Sequence, residues 1–192
     1  VDLLVEKPIT PTVAEGEELV ALAARHGRIL QVGHVERFNS ALRSLQQLGV
    51  TPRYVEGQRH APFSFRSTDI GGVLDLMIHD IEILQQLLGA EPERVDAVGV
   101  EVLTDHVDIA NARLRFACGC IANVTASRIS RDRVRKARFF QRDSYVSIDY
   151  AAQEVERWTI GAGPAGTPAI QGGKLDVVKD EPLRCELDDF VC

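Results

Sequence analysis

VDLLVEKP, residues Val1–Pro8, begins with a continuous apolar run, as do strands that are buried on both faces of a parallel sheet. Thr12 and Glu15 follow at the spacing of a capping box, which predicts a helix that runs to about His26. RILQVGH, residues Arg28–His34, predicts a second short strand. Strand, helix and strand within about 33 residues predict a right-handed, parallel βαβ unit.

The rest of the chain passes from helical to strand periodicity. Helices are predicted over Asn39–Leu48 and Gly71–Leu88, with a half-exposed strand from Arg53 and then a loop, FSFRSTDIGG, between them. Beyond Pro92 the apolar residues alternate, which predicts a meander of antiparallel strands in one open sheet. The predicted strands are VDAVGVEVL, DIANARLRF, CIANVTASRI, ARFFQRDSYVSIDY and EVERWTI. The fold class is therefore α/β plus α+β, with domains at residues 1–35 and 36–192.

The composition indicates a globular protein with a hydrophobic core and an acidic surface. Hydrophobic residues make up 45% of the chain and charged residues 26%, with a net charge of −6 and a pI near 5.4. This charge gives no general attraction to nucleic acid or to an anionic membrane, and it favours a small-molecule or protein partner. No apolar run approaches the about 20 residues that a membrane-spanning helix needs.

The four cysteines are interpreted as reduced thiols of a cytoplasmic protein. Cys118 and Cys120 are expected to project from the same face of one strand, which is a poor geometry for a disulfide. A zinc site at this pair is the alternative, although C-x-C without a second pair is a weak signal.

Both ends of the sequence suggest a truncated chain. It has no initial Met, and it opens directly on a strand of the parallel type, which needs neighbouring strands. At the other end, a helical pattern of apolar residues runs into the last residues: Leu183, Leu187, Phe190 and Val191. We therefore expect the chain to be a fragment of a longer protein.

Polar residues follow both predicted strands of the βαβ unit, at the same edge of its sheet. Lys7 and Pro8 come after the first strand, and His34, Glu36 and Arg37 come after the second. Ligands of open α/β sheets bind just outside the carboxyl ends of the strands, so these residues are candidates for a binding site. The alternative is that Lys7, Glu36 and Arg37 are ordinary solvated charges at a turn and a hinge.

Two further patterns are interpreted as exposed structure. GAGPAG, residues Gly161–Gly166, matches G-x-G-x-x-G literally, but Pro164 and Pro168 leave no room for the helix that would hold a pyrophosphate, so a loop is expected. Three arginines could meet a phosphate or carboxylate, although solvated positions at sheet edges are the expectation: Arg59, Arg128 and Arg131.

GGVLDLMIHD, residues Gly71–Asp80, places an acid and an imidazole in an otherwise apolar helix. Asp75 and His79 are four residues apart, which puts both side chains on one face with Cβ atoms about 5–6 Å apart. One interpretation is structural, with Asp75 accepting a hydrogen bond from a core histidine. The other is a functional site. A metal site with Asp80 as a further ligand is conceivable, although D-x-x-x-H-D is not a recognised metal spacing.

Three motifs in this order resemble the Gfo/Idh/MocA family of NAD(P)-dependent sugar oxidoreductases: EKP at Glu6–Pro8, GHVERFN at Gly33–Asn39, and the Gly71–Asp80 helix. The resemblance covers nearly the whole chain. It implies that residues 1–35 are the last βαβ portion of a Rossmann domain, and that a large, mostly antiparallel sheet with helices on one face follows. It departs from the family at Ser40, where Pro is usual, and in having no glycine-rich phosphate loop or ribose-binding acid upstream of EKP.

The resemblance implies hydride transfer between NAD or NADP and a secondary hydroxyl of a sugar. The residues of the motifs are similar to those of a subgroup that acts on nucleotide-linked amino sugars. His79 would accept the hydroxyl proton, Asp75 would orient the imidazole or the substrate, and Lys7 would hold the hydroxyl oxygen. The positions that face the cofactor are Glu6, Lys7, Pro8, His34 and Arg37, with the Lys7–Pro8 peptide often cis in the family.

Two other functions stay open from the sequence. The chain could be a non-catalytic domain that associates through the open face of its sheet, since family members commonly form homodimers or homotetramers in this way. It could also be a metal-dependent hydrolase or lyase, which elemental analysis would reveal as bound zinc or manganese.

Overall fold

The computed structural model describes residues 1–64, 70–163 and 167–192. Two of the predicted loops therefore lie partly outside the described residues. These parts are Phe65–Asp69 of the FSFRSTDIGG segment and Pro164–Gly166 of the GAGPAG segment.

The predicted βαβ unit is confirmed. Strands β1 (Leu3–Glu6) and β2 (Leu30–Gly33) pair in parallel, and helix α1 (Val13–Arg25) connects them. The capping box begins α1, because Thr12 Oγ1 accepts the main-chain N–H of Glu15 while the Glu15 carboxylate accepts the N–H of Thr12. Since the two strands run in the same direction, the segments that follow them lie next to each other.

The large open sheet is also confirmed, with eight strands. These are β3 (Tyr54–His60), β4 (Pro92–Val100), β5 (Ile109–Phe116), β6 (Ile121–Ser127), β7 (Val134–Gln141), β8 (Ser144–Asp149), β9 (Glu154–Ala162) and β10 (Pro168–Lys174). Their order is β10-β9-β8-β7-β3-β6-β5-β4, and only the β3–β6 pair is parallel. The sheet is therefore not one continuous meander, because β3 lies between β6 and β7 and separates two antiparallel blocks.

Three local expectations about strands and turns are wrong. The segment Pro168–Lys174, which was not among the predicted strands, is a strand that pairs along the edge of β9. Gly161 and Ala162 belong to β9 rather than to a loop. Cys118 and Cys120 lie in the turn between β5 and β6, where Cys118 is exposed and Cys120 is buried, so they do not share a strand face. All four cysteines are free thiols.

The helices follow the predicted segments, with one irregular start. Helices α2 (Ser40–Gln47), α3 (Ile78–Leu88) and α4 (Pro182–Val191) are present. The segment Gly71–Leu88 was predicted as one regular helix, but α3 is preceded by a π turn, Val73–Met77, in which the N–H of Ile78 bonds to the oxygen of Val73 five residues earlier. A 3₁₀ turn at Val35–Phe38, the hinge turn, leads into α2 and contains the domain boundary predicted between residues 35 and 36.

The hydrophobic core lies between the helices and one face of the sheet. Alternate residues of β5 are buried while their neighbours are exposed, as expected for a sheet that is covered on one face. Leu42 and Leu45 of α2 are completely buried in this core, together with Val55 and Phe139 of the central strands. Over the described residues, no helix has both the length and the apolar character needed to cross a bilayer.

Candidate functional site

Lys7 makes a side-chain contact between the two parts of the chain. It follows β1 and precedes a cis bond to Pro8, and its side chain is directed at the π turn of the second part. The Nζ atom donates to the main-chain oxygen of Asp75 at 2.6 Å and pairs with Asp75 Oδ1 at 3.3 Å. The Lys7 side chain is only 16% exposed, so this contact is largely sheltered from water. The structure thus brings together two of the three predicted catalytic residues.

The π turn sets the position of Asp75. Its start is fixed by Gly72, whose N–H donates to the oxygen of Val107 at 2.7 Å. A Cβ on Gly72 would lie 3.1 Å from that same oxygen, so the close approach of this turn to the β4–β5 connection favours glycine. One-turn π segments within helices frequently occur at functional sites, and this one carries Asp75 toward Lys7.

His79, the third predicted catalytic residue, lies in the first turn of α3. Its Nδ1 atom is buried and has no hydrogen-bond partner among the described residues, so this nitrogen does not donate to Asp75 as the structural interpretation would allow. Burial, followed by the charges of Arg59 and Lys7, lowers the pKa of His79 to about 3. The imidazole is therefore neutral at neutral pH and keeps an unused nitrogen.

His34 directly follows β2, just as Lys7 directly follows β1. Its Nδ1 atom is also buried without a partner among the described residues. Burial, and then the nearby charges of Arg37 and Lys7, lower the pKa of His34. His34 lies close enough to His79 to contribute to the lowered pKa of His79.

Two cavities border the ends of β1 and β2. The larger, about 700 Å³, has mostly apolar walls that include Pro8, His34, Leu74 and Ile78. The smaller, about 410 Å³, is lined by residues that include His34 and Arg37. His34 therefore faces both cavities. Lys7, Asp75 and His79 line neither of the two; they lie beside them, next to Pro8, Leu74 and Ile78 in the sequence.

The other predicted cofactor residues have mainly structural contacts. Arg37 forms an ion pair with Glu82 of α3 while about half of its side chain is exposed. Glu6 lies against Gly33, where an added Cβ would be 3.2 Å from the Glu6 carboxyl group.

Helix α4 adds Glu186, which the sequence analysis did not single out. It is completely buried without a partner among the described residues, and burial, followed by the charge of Glu6, raises its pKa.

A buried cluster, consisting of Glu36, Arg59, Asp80 and Tyr150, includes the residue that follows His79. Arg59 donates from Nε and Nη2 to the two oxygens of Asp80, at 3.0 and 3.2 Å, and from Nη1 to Glu36 at 2.9 Å. Its guanidinium carbon lies 5.5 Å from the centre of the Tyr150 ring. Burial disfavours the charge of Arg59, but attraction to Asp80 and Glu36 outweighs it and raises the pKa of the guanidinium.

Two of the three arginines expected at solvated sheet edges are therefore buried. Arg59 is 2% exposed, and its burial could have been read from β3, where strand alternation puts it on the same face as Val55. Arg128 donates to Asp108 at 2.8 Å and to the oxygen of Ile70 at 2.5 Å, just before the π turn. Arg131 is exposed, as expected. The alternative in which Glu36 is a solvated charge is also wrong, because Glu36 is buried and accepts a hydrogen bond from Arg59.

The metal-site alternatives gain no support from the described part of the chain. Within residues 1–64, 70–163 and 167–192, no three side chains of His, Cys, Asp or Glu come together in an arrangement that could hold a metal ion. Asp80, the ligand suggested beside His79, is instead taken up by Arg59.

Two protein-family models match the chain. One, described as the GFO/IDH/MocA C-terminal domain, matches residues 42–142, and the other, described as oxidoreductase family with an NAD-binding Rossmann fold, matches residues 1–34. The chain belongs to the Gfo/Idh/MocA family of oxidoreductases. The resemblance inferred from the three motifs is thereby confirmed, together with the fold that it implied.

Similar proteins support the same family. The UDP-N-acetylglucosamine 3-dehydrogenase of Acidithiobacillus ferrooxidans is 39% identical over 193 residues, which cover 100% of this chain and 62% of the relative. A solved structure of that enzyme matches with a TM-score of 0.92 over 100% of this chain and 62% of its own. The scyllo-inositol 2-dehydrogenase (NAD(+)) of Bacillus subtilis is 32% identical, over 67% of this chain and 42% of the relative. This chain therefore spans 62% or less of these relatives.

Proposed function

We propose that this protein transfers a hydride between NAD or NADP and a secondary hydroxyl of a nucleotide sugar or a related sugar. The observation that carries the proposal is the contact between Lys7, at the carboxyl end of a Rossmann-type strand, and Asp75, in the π turn that leads to His79. A cationic amine, a carboxylate and a neutral imidazole thus converge from two parts of the chain. Groups of these kinds can accept the proton of a hydroxyl and stabilise the charge that develops on its oxygen.

In the proposed reaction, His79 accepts the hydroxyl proton while the nicotinamide, when bound, takes up the hydride. The imidazole must be neutral to accept a proton, and its lowered pKa keeps it so at neutral pH. It is a weak base, but the hydroxyl becomes far more acidic as hydride leaves its carbon. Lys7 stabilises the negative charge that develops on the oxygen, and Asp75 holds the Lys7 ammonium in place.

The described residues fit the nicotinamide end of the cofactor. Ligands of parallel sheets bind at the carboxyl ends of the strands, and Lys7, Pro8 and His34 stand there on β1 and β2. The buried Nδ1 atom of His34 has no hydrogen-bond partner among the described residues, so it could form a hydrogen bond with an amide group of a ligand. These residues would hold the cofactor, and Glu6 and Arg37 are the other two positions proposed to face it. The choice between NAD and NADP stays open.

For the substrate, the proposal rests on the similar proteins. The relative that covers the full length of this chain is a UDP-N-acetylglucosamine 3-dehydrogenase, whereas a second relative is an inositol dehydrogenase. We therefore expect a cyclic polyol carrying a secondary hydroxyl, and a nucleotide-linked amino sugar before a free sugar. The cytoplasm, where NAD(P) and nucleotide sugars occur together, remains the expected location.

The test is a turnover assay on the intact protein, which follows NAD(P)H absorbance with UDP-N-acetylglucosamine and, separately, with scyllo-inositol. His79→Gln is expected to lower kcat by about 10²–10⁴-fold, since it removes the proton acceptor, while the Kd for NADH stays unchanged. Lys7→Met should also lower kcat, and Lys136→Met is its control, because Lys136 is half exposed on β7 and forms an ion pair with Asp149. Full kcat in both His79→Gln and Lys7→Met would refute the assigned roles.

A second candidate function, self-association through the open sheet face, is supported by an aromatic group on that face. Tyr54 and Phe140 stack with ring centres 5.8 Å apart, and Phe140 and Tyr145 lie 5.7 Å apart. A shallow depression of about 280 Å³ beside them is lined by Trp158 and Ile160. Tyr54, Phe140, Tyr145 and Trp158 are partly exposed, Ile160 is exposed, and an apolar patch of this kind on a sheet face commonly marks an interface. Light scattering is expected to give the mass of a dimer or tetramer, and a monomeric mass at micromolar concentration would exclude this function.

A further inference from the structure

We propose that Arg59 is the positioning residue for His79: from the centre of the sheet it binds Asp80, the neighbour of His79, and Glu36 of the hinge turn in one buried cluster. This inference deepens the proposed function and rests on it for the role of His79. Arg59 touches neither cavity at the ends of β1 and β2, so it acts through other residues.

The geometry of the cluster ties three elements together. Arg59 belongs to β3, Asp80 to α3 and Glu36 to the hinge turn. All three side chains are nearly inaccessible, with 2%, 5% and 9% of their surfaces exposed. A bidentate bond to a carboxylate fixes both distance and orientation, so Arg59 determines how the first turn of α3 lies relative to the sheet.

The same residue also links the hinge to the site. Glu36 accepts from Arg59 and from the side chain of Asn39, and Asn39 in turn donates to the main-chain oxygen of Tyr150. His34, on the cofactor side of the proposed site, is two residues before Glu36. Through one guanidinium group, the segment carrying His34 and the turn carrying His79 are therefore held at a fixed separation.

Arg59 acts on the charge state of His79 as well as on its position. The groups that face His79 are cationic or neutral on every packed element: Arg59 on β3, Arg135 on β7, Lys7 after β1 and His34 after β2. Asp75 and Asp80 lie on its own segment, but each is occupied by a cation. Burial is the main cause of the lowered pKa of His79, and Arg59 is the largest charge contribution. Arg59 therefore favours the neutral imidazole that the proposed proton transfer needs.

The test measures the pKa of His79 directly, by NMR titration of imidazole signals in the 192-residue chain, with His79→Gln as the assignment variant. Arg59→Met keeps much of the buried volume but removes the charge, and is expected to raise the pKa of His79 by about 1 or more. Arg59→Lys, which keeps a charge without the planar fork, is expected to give a smaller rise. Arg115→Met, at an exposed position of β5, is the control and should cause no change.

A residue that only fills space would leave the pKa of His79 unaltered in Arg59→Met, and that result would overturn the inference. If Arg59→Met does not fold, Arg59→Lys replaces it, because it leaves neither buried carboxylate without a cation. A measurable rise in the pKa of His79 in this variant supports the inference, and an unchanged pKa overturns it. No turnover is measured, so the result is independent of the proposed dehydrogenase reaction, whose failure would be seen as full activity of His79→Gln.

Discussion

His79 should make the stability of the protein depend on pH, and His79→Gln should remove that dependence. In the folded chain the pKa of His79 is lowered from 6.5 to about 3, mainly by burial. Between these two values the unfolded chain binds a proton that the folded chain does not bind. Stability therefore rises with pH in this window. The contribution of the neutral imidazole is complete above about pH 6.5 and is lost as the pH falls toward 3.

The size of the effect follows from the shift. Each pH unit below the unfolded pKa costs about 1.4 kcal/mol, so the wild-type chain should lose about 2 kcal/mol of unfolding free energy through His79 between pH 7 and pH 5. His34, whose pKa is also lowered, adds a loss of the same sign that is common to both proteins. The quantity to compare is thus the difference between the two slopes. The free energies of unfolding at pH 7 are not compared, because they also differ through the packing of Gln in place of His.

Urea denaturation, followed by the fluorescence of Trp158 or by circular dichroism, would give the free energy at each pH. His26→Gln is the matched control, because His26 is exposed at the end of α1 and its replacement should leave the slope unchanged. If the wild-type chain and His79→Gln lost equal free energy between pH 7 and pH 5, His79 would have to titrate normally in the folded chain. The assignment of a neutral, sheltered imidazole would then be wrong.

Two further predictions concern the core and the sheet edge, and both are measured by urea denaturation. Leu42→Ala should lower the free energy of unfolding by about 2–5 kcal/mol, because the side chain is completely buried. Leu103→Ala, at a position that is 62% exposed, is the control and should lower it by less than about 0.5 kcal/mol. Equal losses in the two variants would contradict the placement of the core. Gly172→Ala should lower the free energy of unfolding more than Gly173→Ala does, although both residues have a positive φ. The reason is that a Cβ on residue 172 would lie 2.0 Å from a main-chain oxygen, whereas a Cβ on residue 173 would meet no atom within 4 Å. An equal cost would mean that backbone strain alone is responsible.

The features predicted correctly from the sequence are those whose signals are local. The capping box of Thr12 and Glu15 marks the start of α1, and alternation along β5 and β6 marks strands with one buried face. The EKP motif marks the end of β1. Each of these depends on residues close together in the chain, so a short window contains the whole signal.

The features that were missed depend on distant residues. The π turn has the same apolar pattern as a regular helix, and its register is set by the contact of Gly72 with Val107. Arg59 and Glu36 looked like solvated charges because each finds its partner only after β3, the hinge turn and α3 have come together. Local composition favours solvent for such residues, and only tertiary pairing makes their burial acceptable.

The place of β3 in the sheet has a consequence for how the chain folds. Strands β4 to β6 and β7 to β10 each join neighbours through short connections, so either block can form from contacts that are near in sequence. Joining the blocks requires Val55 to reach both Ala122 and Phe139, which closes long loops and carries a large entropic penalty before any stabilising contact is gained. We expect insertion of this central strand to be the rate-limiting event, and substitutions in β3 to slow refolding more than equally destabilising ones at the outer strands.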